Sequence, residues 1–292
     1  MSDVLQLLLA GLATGAIYAL AAAGFALLWQ TARTINFAQG EFVMLPAFFV
    51  LAGTEWLGLP LGLAILLALV LALLVLGFLF KRAIVDPLLS QGVLPVVIAT
   101  IAVGILLKES VKEFYSAEAQ PFPSLVPGGT LDLAGAVLSL QDIAVLAVAG
   151  LAILAMQLFL GRTRLGRMMQ ATAQNPEVAV ILGIPTRRMV LYTFLLNAAL
   201  VTLASILISP VYLAKFDNGE TLGLIAFIAA IVGGFNQIRG AIAGGFLVGV
   251  VDNFGAAYLS SDYRTGILLL LLIAVILLRP HGLWGRTEER TV

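Results

Sequence analysis

The stretch Pro60–Phe80 contains no charged residue. A helix needs about 20 apolar residues to cross the hydrocarbon core of a bilayer. A soluble domain keeps far more polar residues on its surface than such a run allows. Leu140–Leu160 is a second long apolar run, with Asp142 its one charged residue, and together they set the class of the chain. Hydrophobic residues make up 61% of it and charged residues 11%. The reading is an all-α integral membrane protein in which residues 1–292 form a single transmembrane domain.

The spans expected from hydropathy are 4–29, 42–59, 60–80, 93–109, 140–160, 189–213, 221–235, 241–259 and 265–279. The segment 221–235 is short and reads either as a crossing or as a half-helix that enters and returns. The expectation is therefore a bundle of eight to nine transmembrane helices with broken or re-entrant segments. The first run extends from Val4 to Trp29 with no basic residue before it and further spans after it, so it reads as a span rather than a cleaved signal.

Basic residues orient the bundle. Lys81, Arg82, Arg162, Arg164, Arg167, Arg187, Arg188, Arg279, Arg286 and Arg290 fall on one side in a consistent alternation, which is then cytoplasmic. Nine spans add Arg33 and Arg239 to that side and put the N-terminus outside; a re-entrant segment puts it inside. Lys108, Lys112, Lys215 and Arg264 lie opposite. An outer loop at about 110–138 contains Pro121, Pro123, Pro127, Gly128 and Gly129 and reads as an irregular surface loop, open to docking by an external partner. Glu109 and Lys112 pair at i, i+3 where a helix leaves the bilayer.

Several chemistries are excluded. The chain has no cysteine, so it has no thiolate metal site, iron–sulfur cluster or disulfide. Its one histidine, His281, sits among Arg279, Pro280 and Gly282 and reads as interfacial, which removes a histidine metal site or a Ser-His-Asp triad. Acidic and basic residues balance at 16 each, with no basic cluster for nucleic acid. There is no G-x-x-x-x-G-K-[ST] loop, so if the chain moves anything uphill, the energy comes from an ion gradient or from another subunit.

Small residues four apart mark close helix contacts: Gly11 with Gly15, Gly58 with Gly62, Gly240 with Gly244, and Gly245 with Gly249. Polar breaks interrupt apolar sequence at 33–41 and 233–240, and they read as equivalent points of an internal repeat or as plain cytoplasmic turns. Asn36, Gln39, Glu41 and Asn236 in these breaks, with Asp252 inside a span, are the candidates for a translocation pathway. A carboxylate within a span is costly unless it is paired or faces the bundle interior.

The cytoplasmic segment 161–188 is the most informative. Asn175 suits an N-cap, Pro176 the first helical position, and Glu177 the positive helix end. Val178, Val180, Ile181 and Leu182 make the short helix apolar, Gly183 stops it, and Pro185 prevents continuation. Such a helix either lies on the membrane or its own bundle, or inserts as a knob into a cytosolic partner.

A helix ending in Gly183-Ile184-Pro185 resembles the coupling helix of ABC importer permeases. The segment from Gly161 through Ile184 resembles the LivH-type permease family of branched-chain amino acid importers. Ile35-Asn36-Phe37-Ala38-Gln39-Gly40-Glu41 is similar to that family's Ile-Asn-Phe-Ala-His-Gly-Glu signature, with Gln39 where histidine is common. Val232–Gly240 resembles its Gly-Gly-x-Gly-x-x-x-Gly loop, with Asn236 in place of the third glycine, and Arg279–Gly285 resembles its C-terminal end. The resemblance covers the whole chain. It implies a bacterial inner-membrane permease for branched-chain or related amino acids, with relatives that carry urea or short amides. The partners implied are a second, LivM-like permease, two ATPase subunits and a periplasmic substrate-binding protein, in membrane lipid, with no built-in cofactor and no catalytic residue. It assigns Asn175, Pro176, Glu177, Ile181 and Gly183 to ATPase coupling. The rival classes fit less well. An ion-coupled transporter needs more buried titratable groups than the spans hold, and an intramembrane enzyme needs a His or Cys dyad or close carboxylates.

Overall fold

A computed structural model describes residues 2–126, 128–133 and 136–285. Pro127, Arg286 and Arg290 lie outside them. The described residues form eleven helices and one hairpin: α1 (Ser2–Ala32), α2 (Gln39–Glu55), α3 (Leu61–Leu89), α4 (Val93–Phe114), β1 (Thr130–Leu133), β2 (Ala136–Ser139), α5 (Leu140–Arg162), α6 (Arg164–Gln174), α7 (Pro176–Ile181), α8 (Thr186–Tyr212), α9 (Asn218–Gly233), α10 (Ile238–Tyr258) and α11 (Arg264–Leu278). Six of these, α1, α3, α4, α5, α8 and α10, are long and apolar enough to cross a membrane. The other three expected spans are shorter helices: α2 has 17 residues, α9 has 16 and α11 has 15. At a rise of about 1.5 Å per residue they fall short of a 30 Å hydrocarbon core.

The span expected at 60–80 does not stop at the charged pair Lys81 and Arg82. The helix continues to Leu89 with π-helical winding over Leu73–Leu79 and Lys81–Val85. That winding stacks residues five apart, which brings the Lys81 ammonium to Asp86 at 2.8 Å and keeps a buried cation paired.

Glycine spacing decides how the core helices meet. α1 and α10 form the most extensive helix contact, and their backbones nearly touch. A Cβ on Gly11 would lie 2.9 Å from Val250 Cα, and one on Gly15 would lie 2.9 Å from Phe246 Cα. In return Gly245 faces Ala19 and Gly249 faces Gly15, while Gly240 and Gly244 face Gly233 of α9. The tandem glycines of α10 thus serve two neighbours, one pair each. The Gly58 and Gly62 pair does not make such a contact: Gly58 has φ +62° in the turn before α3, and neither glycine has an atom within 4 Å of its Cβ position. The spacing there is a by-product of the turn.

The two ends of the bundle differ. Arg33, Lys81, Arg82, Arg187 and Arg188 surround one cavity, and the α9–α10 turn lies at the same end, where Gln30 Nε2 donates to Asn236 O at 2.9 Å and Trp29 meets Phe235. At the opposite end Tyr115 donates to Glu55 at 2.6 Å and stacks on Trp56. Burial and then that bond push the Tyr115 hydroxyl well above its usual pKa, so it remains a donor throughout the physiological range. The segment expected as an irregular outer loop at 110–138 is more ordered. Residues 110–114 complete α4, with Lys112 bonded to Glu109 at 3.3 Å, and β1 and β2 pair antiparallel with Thr130 opposite Ser139.

Candidate functional site

The polar groups inside the bundle centre on the start of α2. Residues 33–38 leave the basic end and run inward beside α1. Gln39 Nε2 reaches Ala21 O at 3.4 Å, and Ala21 lies eleven residues before the end of α1, about 16 Å along its axis. α2 therefore begins at mid-depth and runs only to the far end. Asn36 Oδ1 accepts from Ala38 N at 3.1 Å and turns the chain into the helix. Phe37 N donates to Thr100 Oγ1 of α4 at 3.2 Å, which ties the non-helical segment to a span. These bonds answer a strict need, because backbone groups at this depth find no water in a bilayer.

Gln39 is fully buried and closes a reciprocal amide pair with Asn197 of α8. Gly24 makes the space: a Cβ there would lie 2.6 Å from Gln39 Nε2 and would run into Asn197 Oδ1. One residue on, Gly40 meets the start of α9, where a Cβ on Gly223 would lie 2.8 Å from Gly40 Cα. The N-termini of two short helices thus meet inside the bundle. Glu41 lies in this junction, 6% exposed, with its carboxylate against Gly219. Its Oε2 and Asn36 Nδ2 are buried without a hydrogen-bond partner among the described residues. Lys108 of α4 and Glu220 of α9 pair at 2.5 Å beside it.

Asp252 and Asn236 lie elsewhere. Asp252 is 1% exposed near the far end of α10 and is held by Arg264, which heads α11. Tyr18 donates to Asp252 at 2.9 Å, and Arg264 donates to the Tyr212 hydroxyl at 3.0 Å. This network edges a cavity of about 190 Å³ whose other walls include Asn218, Thr221, Leu222 and Ile225. Asn236 sits in the α9–α10 turn at the basic end. Of the five pathway candidates, Asn36, Gln39 and Glu41 share one region, and the other two occupy separate ones. Asn197, Tyr18 and Arg264 are partners that the sequence did not single out. An asparagine in the middle of an apolar span was the available signal for the first, and Arg264 opening the helix after Asp252 for the last.

The basic end carries the capped elbow. Thr163 Oγ1 accepts from Gly166 N at 2.9 Å and starts α6, a helix not expected from the sequence. Asn175 Oδ1 accepts from Val178 N at 3.1 Å, and Pro176 opens α7. Gly183 takes φ +77°, with Gly183 N bonded to Val180 O and Ile184 N to Ala179 O, both at 2.9 Å. Those two bonds form a Schellman stop. Ala179 is buried, whereas Val178, Val180, Ile181 and Leu182 are exposed, Ile181 at 82% and Leu182 at 71%. Two further motifs pack on each other nearby. Leu283 N and Trp284 N donate to Val232 O and Gly233 O at 2.8 and 3.0 Å, so the C-terminal segment satisfies the last carbonyls of α9. Among the described residues no group of His, Asp and Glu is placed to hold a metal ion.

The family described as branched-chain amino acid transport system, permease component, matches residues 7–276. The high-affinity branched-chain amino acid transport system permease protein BraD of Pseudomonas aeruginosa is 33% identical over 300 residues, covering 99% of this chain and 98% of the relative. The permease protein LivH of Escherichia coli is 30% identical over 301 residues, covering 99% and 97%. A probable LivH of Methanocaldococcus jannaschii is 26% identical over 285 residues, covering 91% and 88%. The chain is a multi-pass membrane protein that belongs to the branched-chain amino acid transport permease family.

Proposed function

We propose that this chain is the translocating subunit of an ATP-driven importer for branched-chain or related amino acids in a bacterial inner membrane. Nine segments cross, three of them built on the short helices α2, α9 and α11, with the non-helical stretch 33–38 completing the crossing of α2. The N-terminus then faces outside, and the basic end is cytoplasmic. Two ATPase subunits dock at that end, a LivM-like permease pairs with this one, and a periplasmic binding protein delivers the amino acid at the far end. An internal repeat would relate the polar breaks at 33–41 and 233–240, of which the first runs inward to Gln39 beside Ala21 and the second turns between α9 and α10. Asn36, Gln39 and Glu41 supply polar contacts at mid-depth, as broken helices do in other transporters.

The observation that carries this reading is the surface of α7. A six-residue helix, capped at both ends, holds Ile181 and Leu182 out into the aqueous side. Apolar side chains this exposed on a rigid, capped element are what a groove in a partner would bury. Asn175, Pro176 and Gly183 fix its shape, and Glu177 and Ile181 form the contact. ATPase closure pushes on α7, and α6 and α8 carry the push into the bundle.

The test is reconstitution. In liposomes the isolated chain hydrolyses no ATP and accumulates no leucine. Addition of the ATPases, the second permease and loaded binding protein produces ATP-dependent uptake. ATP hydrolysis by the pure chain, or uptake without the ATPases, contradicts the assignment.

A further inference from the structure

A cavity of about 720 Å³ lies at the basic end between α1, α3, α6, α7 and α8. Arg33, Lys81, Arg82, Arg187 and Arg188 line it, with Asp86 as the one carboxylate. Asp86 is already used by Lys81, whose ammonium also donates to Arg187 O at 3.4 Å. Among the described residues no ion pair engages Arg82, Arg187 or Arg188, and all three are exposed. Arg82, Arg187 and Arg188 therefore concentrate positive charge at the cavity that no described carboxylate pairs.

Its remaining walls are apolar. Ala32, Val190 and Leu191 line the inside, and Leu89 lines the edge on the outer surface of α3, where it is 38% exposed. α3 and α8 are both long enough to span, so the cavity sits beside their terminal turns, at the boundary of hydrocarbon and water. A free phosphate has no use for the apolar walls, and an acidic protein segment has no route through the bilayer side. An anionic phospholipid matches both parts. Its phosphodiester meets the guanidiniums, and the upper acyl chain lies along Leu89, Val190 and Leu191. Basic pockets between helices on the cytoplasmic side are the usual form of such sites.

We infer that this cavity binds the headgroup of an anionic phospholipid of the cytoplasmic leaflet. Thr172 of α6 and Pro176 of α7 also line it. The lipid thus touches the base of α7 and neutralises the adjacent Arg187 and Arg188 at the start of α8. On the coupling reading given above, lipid occupancy stiffens the joint through which α7 pushes on α8; the binding itself does not depend on that reading.

Native mass spectrometry of the assembled complex, released from nanodiscs of phosphatidylglycerol or of phosphatidylcholine, tests the site. The wild type retains phosphatidylglycerol and not phosphatidylcholine. At about 1 kcal/mol per basic residue, Arg82→Gln with Arg187→Gln and Arg188→Gln weakens retention roughly 100-fold. Arg162→Gln with Arg164→Gln removes charge from the same end outside the cavity and leaves retention unchanged. Val190→Trp fills the apolar wall without altering charge or orientation, and it also reduces retention. Equal loss in the Arg162 and Arg164 control, full retention in the triple variant or in Val190→Trp, or release of the lipid by inorganic phosphate would each overturn the assignment. Failure of transport with lipid retention intact would instead bear on the importer reading alone.

Discussion

The side-chain amides of Gln39 and Asn197 bond to each other twice in the middle of the bundle, at 2.8 and 3.0 Å. Gln39 begins a helix that starts at mid-depth, and Asn197 belongs to a span that crosses fully. The pair fixes the broken element to the continuous one. A glutamine serves here because each amide offers both a donor and an acceptor, so the pair is closed.

Asn197→Leu leaves Gln39 Oε1 buried without a donor and leaves Nε2 only its 3.4 Å bond to Ala21 O, and it lowers stability by about 1–3 kcal/mol. Gln39→Leu has a comparable cost. The double variant, with both amides removed, costs less than the sum of the two, because no polar group is stranded. Thermal unfolding in detergent across the four proteins of this cycle measures the coupling; strict additivity contradicts the pairing.

Gly249→Ala and Gly62→Ala have opposite outcomes although both glycines carry the same four-residue spacing. A Cβ at position 249 runs into the Gly15 backbone, whereas position 62 is open. Overpacking at Gly249 costs about 1–3 kcal/mol or prevents accumulation in the membrane. Gly62→Ala stays within about 0.5 kcal/mol of the parent. Melting temperatures of the purified variants distinguish the two.

The contrast shows what the sequence could convey. Composition and run length specified a helical membrane bundle, because the bilayer permits few alternatives. The capped helix at 175–183 was legible residue by residue, since Asn175, Pro176 and Gly183 each act locally. Contacts between distant segments were not. Glycine spacing marked α1 and α10 correctly, but it also marked the turn at Gly58, because spacing alone does not say whether a helix is present. Asp252 was legible as a costly charge, and its partner Arg264 was not named, because which helix face meets which depends on packing. Helix ends shifted by a few residues for a related reason. The winding of α3 through Lys81 relies on Asp86, a contact that hydropathy does not register.

Removal of one member of the Asp252 and Arg264 pair is damaging. Asp252→Leu leaves a guanidinium facing a buried apolar site and costs about 3 kcal/mol, at the low end for buried pairs because Arg264 is 30% exposed. Asp252→Leu combined with Arg264→Leu recovers part of that loss. Tyr18→Phe deletes one bond to the carboxylate and costs about 1 kcal/mol. Chemical or thermal unfolding of the purified chain gives the order; a double variant worse than Asp252→Leu alone contradicts it.

Sidedness has a direct test. Thr186→Cys, at the start of α8, and Ser124→Cys, in the loop between α4 and β1, are introduced singly into a chain that has no native cysteine. An impermeant reagent added to intact cells labels Ser124→Cys and spares Thr186→Cys until the membrane is opened. Labelling of both from outside contradicts the topology.

The central claim is that α7 transmits the ATPase stroke. Ile181→Asp changes a side chain that is 82% exposed and outside every span, so the variant inserts and accumulates normally. Glu177→Arg reverses charge at the positive helix end, and Gly183→Val places a β-branched residue at φ +77°, a strain of about 1 kcal/mol or more. The measurement is ATP hydrolysis by the reconstituted complex with and without loaded binding protein. Stimulation by that protein is lost in Ile181→Asp and strongly reduced in Glu177→Arg and Gly183→Val, while the ATPases keep their own basal turnover. Full stimulation in all three variants would contradict the claim.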